Sequence, residues 1–70
     1  MPLTEAIKTV GPWQAALAVG DGPAFRTTCR RQSSKTGDFA TAAAWRVLAQ
    51  HPKETVAAYL AGASGGRIYL

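Results

Sequence analysis

RTTCRRQSSK, running from Arg26 to Lys35, carries four of the eight Lys and Arg residues of the chain and no acid. Its conformation decides the fold: as a helix it completes a mainly α domain, and as a β-hairpin it inserts a pair of strands into one. Thr27, Thr28 and Cys29 are poor helix formers, whereas Pro23 suits a first helical turn and Asp21 stands where a cap would. The balance favours a short helix over residues 23–32, with a hairpin as the alternative. Ser33, Ser34, Lys35, Thr36 and Gly37 read as a loop by composition, and Asp38 follows as the N-cap of the next helix.

The flanking segments are helical by spacing. Leu3, Ala6, Ile7 and Val10 fall at i, i+3, i+4 and i+7, one stripe of a helix. Gly11-Pro12 stops it, because the residue before proline avoids the helical region and proline suits the first turn of a new helix. Trp13, Ala16 and Leu17 continue the helical spacing up to the turn Gly20-Asp21-Gly22-Pro23. Downstream, Phe39 to Gln50 is helical, with Phe39, Ala43 and Val47 on one line and Trp45, Leu48 and Ala49 beside it, a pattern that predicts a largely buried helix. Pro52 ends it and starts another, striped by Val56, Leu60 and Ala63. Gly62, Gly65 and Gly66 are expected to end that helix, and Arg67 to Leu70 to form a short extended tail. The expected fold is mainly α: a compact four- or five-helix small domain, residues 1–70, helix-turn-helix-like.

Seventy residues with 47% hydrophobic content permit one small core. Fourteen of them are alanine, which packs helices closely but buries little area, so a homodimer or a larger partner would add burial. A single cysteine excludes an internal disulfide framework, and the apolar run Ala15 to Val19 is far too short to span a bilayer. The expected setting is cytoplasmic, without membrane attachment.

Enzyme chemistry is poorly supplied. One histidine, one cysteine and four scattered acids offer no convergent reactive set, and no metal-ligand cluster, nucleotide fingerprint or phosphate loop is present. No catalytic, cofactor or metal function is expected. His51, beside Pro52 at a helix junction, reads as a capping or solvated residue. Cys29 has Arg26, Arg30 and Arg31 nearby, which would lower its pKa and make it reactive; its other reading is a small packing residue.

A net charge of +4 favours an anionic partner. In a helix, Arg26 and Arg30 share a face and Arg31 and Lys35 extend it, with threonine hydroxyls between. Guanidinium groups hold phosphate in a fork and read guanine, and hydroxyls donate to phosphate oxygens. Arg26, Thr27, Arg30, Arg31 and Lys35 are therefore the candidate nucleic-acid contacts, with DNA as the expected partner through its phosphate backbone and major groove. The contrary reading is a protein-binding factor without nucleic-acid affinity, such as an inhibitor of an acidic host protein or an assembly component, anchored by Trp13, Phe25, Trp45 or Tyr69.

Two segments resemble known recognition units. Residues 3–30 resemble the helix-turn-helix of Cro-like phage repressors, with Gln14, Leu17, Ala18 and Gly22 in the pattern Q-x-x-L-A-x-x-x-G. The resemblance implies a phage- or bacterial-type transcriptional regulator whose helix containing Arg26, Thr27 and Arg30 enters the major groove. Asp21 and Thr28 stand where that family places apolar core residues, and Pro23 follows the turn glycine. Thr41 to Leu60 is similar to the helix-turn-helix of excisionase and MerR-like winged-helix proteins through Thr41, Ala42, Leu48, Thr55, Val56 and Tyr59, with residues 65–70 similar to a wing strand. That register implies Lys53, Glu54 and Thr55 as groove-facing residues, and places Arg46 at a position the family keeps small.

Overall fold

The computed structural model describes residues 1–63; the expected C-terminal tail and the turn at Gly65-Gly66 lie outside the described residues. Five helices follow one another: α1 (Leu3–Val10), α2 (Pro12–Val19), α3 (Phe25–Lys35), α4 (Phe39–Ala49) and α5 (Lys53–Ala63), with a single 3-10 turn, Gly22–Ala24, leading into α3. No strand occurs among the described residues. The mainly α expectation holds, and the stretch from Arg26 to Lys35 is helical throughout.

Local chemistry explains the corners. Gly11 closes α1 by donating its N–H to the Ile7 carbonyl, and its own carbonyl accepts from Ala15 in α2. Its φ of 98° lies where side-chain-bearing residues are strained, so glycine lets two helices meet with no intervening loop. Pro12 occupies the first turn of α2, where a missing N–H costs nothing. Asp38 caps α4 as expected, one carboxylate oxygen accepting both the Thr41 N–H and the Thr41 hydroxyl at 2.8 Å. Asp21 makes no side-chain cap.

Helix α4 is the centre of the packing, lying between α1 and α3, while α5 lies chiefly against α2. The core is Leu3 and Ile7 from α1, Ala15, Ala16 and Ala18 from α2, Phe25 and Cys29 from α3, Trp45, Leu48 and Ala49 from α4, and Val56 and Leu60 from α5. The radius of gyration, 10.7 Å, matches a compact chain of this length, for which about 11 Å is usual.

Two expectations are corrected, the end of α3 and the burial of Phe39. Helix α3 does not stop at Gln32: Ser33, Ser34 and Lys35 are helical rather than loop. Ser33 is buried and its hydroxyl donates to the Ala42 carbonyl of α4 at 3.1 Å, so a residue that favours loops is held in a helix by its neighbour. Phe39 does not join a buried line in α4; it is 83% exposed, and the buried face runs through Ala42, Trp45 and Ala49 with Ala44 and Leu48. Trp13 and Leu17, the apolar ridge of α2, point outward at 58% and 53% exposure, and the alanines face the core. Gly62 lies in the last described turn of α5.

Candidate nucleic-acid interface

Successive residues of a helix are displaced by about 100° around its axis, and this sorts α3 into three strips. Phe25, Cys29 and Ser33 form the buried strip. Arg26 and Arg30 border it on one flank. Arg31 and Lys35 lie on the opposite flank, roughly 140° from their predecessors, instead of continuing the first pair. Thr27 and Ser34 form the outermost ridge between the two cationic pairs. All six of these residues are exposed.

No described residue forms an ion pair with this face. Among the described residues the sole ion pair is Lys53 to Glu54, 3.0 Å apart on α5, so Arg26, Arg30, Arg31 and Lys35 have no acidic partner there. The first turn of α3 contains no acid and its N-cap, Ala24, offers no side-chain cap. Arg26 therefore sits at the positive end of the helix dipole, where a cation is unfavourable unless an anion approaches.

Cys29 is not the reactive thiol that its basic neighbours suggested. It is fully buried, and burial pushes its pKa up to about 11, with the Asp21 carboxylate adding in the same direction. The arginines point away from it into solvent, where their charge is screened. It is a packing residue. Phe25 and Trp45, offered above as protein-binding anchors, are 3% and 5% exposed and belong to the core, which leaves Trp13; Tyr69 lies outside the described residues.

On the Arg31–Lys35 flank a groove is lined by residues of α2, α3 and α4. Two hollows of about 200 and 290 Å³ share Gln14, Gln32 and Trp45 as walls and floor; Leu17, Ala18, Asp21 and Thr28 complete the first, and Val10, Lys35, Thr36 and Thr41 the second. The sequence reading missed this groove. Gln14 was visible only as a helix-opening residue, and no local pattern tells how far apart two consecutive helices stand.

The helix-turn-helix features are present in part. Gly22 has the positive φ, 60°, that a turn glycine needs, and the following helix begins three residues later. Leu17 and Asp21, however, are exposed and Thr28 is half-buried. In the downstream register Arg46 is exposed, so it imposes no buried charge; Lys53 and Thr55 are half-buried and Glu54 is exposed, with Lys53 paired to Glu54.

Among the described residues no group of three or more His, Cys, Asp or Glu is placed to hold a metal ion, and no helix is long and apolar enough to cross a membrane. In comparisons with known proteins, no family model, no curated protein and no solved structure matches the chain.

Proposed function

We propose that this chain is a small DNA-binding regulator of phage or bacterial type whose contact surface is the outer face of α3. The observation that carries the reading is four exposed cations, in two i, i+4 pairs flanking a Thr27–Ser34 hydroxyl ridge, on one helix without an acid and without ion-pair partners among the described residues. Such a face costs folding energy through mutual repulsion and through Arg26 at the helix N-terminus. Polyanionic phosphate turns both terms favourable, and the hydroxyls donate to the same oxygens. Occupancy of a site is the mechanism, with phosphate contacts fixing the register of the helix on the duplex.

The test is duplex DNA titrated at several salt concentrations and read by fluorescence anisotropy. Four neutralised phosphates give a slope of log K against log salt of about −3.6, or roughly 150-fold weaker binding between 50 and 200 mM. The double variant Arg30→Ala, Arg31→Ala should bring the slope to about −1.8. Absence of binding at about 50 mM salt removes the proposal, because non-specific binders associate there.

One observation favours a second reading, a protein-binding factor. Trp13 and Leu17 form an exposed i, i+4 ridge on α2, and Phe39 is 83% exposed; exposed aromatics of this kind are common interface anchors. Under that reading Trp13→Ala abolishes capture of an acidic protein and leaves DNA titrations unchanged.

A further inference from the structure

We infer that the groove between α2 and α3 takes one unpaired base of a single-stranded nucleic acid whose phosphates lie on the Arg31–Lys35 flank. This rests on the phosphate-binding reading of α3 and adds to it what the adjoining recess recognises.

The floor of the groove supplies the first observation. Trp45 is 5% exposed and walls both hollows. Its indole N–H has no hydrogen-bond partner among the described residues, yet no buried polar side-chain atom is left unpaired. The N–H therefore keeps access to solvent, and Trp45 lines both hollows of the groove. A tryptophan donor held in a packed core normally finds an acceptor inside the fold. Here the acceptor has to come from outside.

The walls supply the second. Gln14 on α2 and Gln32 on α3 face the same space from opposite sides, and neither carboxamide is hydrogen-bonded among the described residues. Each presents a donor beside an acceptor, the pairing that the edge of a base offers in return. The Thr28 hydroxyl adds a donor or acceptor, and Val10 and Leu17 close the ends with apolar surface. The hollows are small. Sites for drug-sized ligands run to about 300–1,000 Å³, so volumes of about 200 and 290 Å³ suit single rings rather than a peptide side or a sugar chain.

Charge selects the source of the ring. Lys35 lines the larger hollow and Arg31 shares its flank, while the Asp21 carboxylate lines only the smaller hollow, so an anionic linkage is held beside the larger recess. A base in a duplex cannot enter, because it stays stacked and paired; an unpaired base swings in at little cost. Single strands should thus gain groove contacts that duplexes lack, while both meet the same cations.

The experiment follows the Trp45 indole N–H by heteronuclear NMR, with Trp13 as the internal reference, since the chain has two tryptophans. Single-stranded homo-oligonucleotides of each base and a duplex of matched length are titrated separately. The expected result is a shift of the Trp45 signal with at least one single strand and none with the duplex. Gln14→Ala and Gln32→Ala, both at groove walls outside the hydrophobic core, should each weaken binding of that strand roughly fivefold or more and leave the salt slope unchanged. A Trp45 signal unmoved at saturation, or glutamine variants that bind all strands as the parent does, overturns the groove proposal while the salt slope still upholds the phosphate reading. Absence of salt-dependent binding to any strand overturns both.

Discussion

Adjacent serines in α3 have opposite roles, and the difference can be measured. Ser33 is buried and donates its hydroxyl to the Ala42 carbonyl across the α3–α4 interface at 3.1 Å. Ser34 is exposed and bonds back to the Arg30 carbonyl of its own helix at 3.2 Å. Substitution by alanine raises intrinsic helix propensity by about 0.5 kcal/mol at either site. At Ser34 little opposes that gain, because water replaces the lost bond, so Ser34→Ala should be neutral or slightly stabilising. At Ser33 a buried interhelical bond disappears, worth about 1 kcal/mol. The loss is no larger because the Ala42 carbonyl still accepts within α4 and is not orphaned. Propensity cancels in the comparison, so the two variants should differ by about 1 kcal/mol, or roughly 4–8 °C in Tm for a domain of this size. Thermal melts followed by circular dichroism at 222 nm supply the number. Equal midpoints would refute the docking of the last turn of α3 on α4, and would restore the loop that composition suggests for residues 33–37.

Three further outcomes follow from the same geometry. The Cys29 thiol, buried and with a pKa near 11, should react with a disulfide reagent at pH 8 at least tenfold more slowly than an unperturbed thiol, with full reactivity restored in denaturant; prompt labelling of the folded protein would sink its assignment to the core. Asp38 has its pKa lowered, first by the Thr41 hydroxyl and then by the Thr41 N–H. Its contribution is therefore complete above the unfolded carboxylate pKa and is lost as pH falls through the lower folded value, so Asp38→Asn should lower stability at neutral pH, flatten the acid limb of the stability curve and converge on the parent at low pH. Gly11→Ala finds space, the nearest side-chain atom being Gln14 Cγ at 3.9 Å, but inherits a φ of 98°; backbone strain alone should cost about 1–3 kcal/mol, measurable by urea denaturation, and a cost near zero would show that the α1–α2 corner adjusts.

The candidate site was legible in its residues more than in its arrangement. Arg26, Thr27, Arg30, Arg31 and Lys35 stand out because the ten positions from Arg26 to Lys35 hold four cations and no acid. That Arg31 and Lys35 turn to the other flank follows from helical geometry only once Phe25, Cys29 and Ser33 are known to face inward. The groove walled by Gln14 and Gln32 was invisible, since it is assembled from residues of separate helices and has no local signature.

By itself the sequence determined four of the helices and most of their ends, and left the segment that becomes α3 open between helix and hairpin. Gly11-Pro12, Asp38 and Pro52 act on their own backbone neighbours, through positive φ, side-chain capping and the missing proline N–H, and need no distant partner. Only the tertiary structure decided which faces of α2 and α4 went inside. Helices α2 and α4 carry apolar residues nearly all round, so periodicity left two faces open in each. Close approach of α2 to its neighbours selected Ala15, Ala16 and Ala18 and turned Trp13 and Leu17 outward, because small side chains let helices pack tightly where large ones hold them apart. The same choice extended α3, since Ser33 is stable in a helix only where the Ala42 carbonyl stands within reach of its hydroxyl.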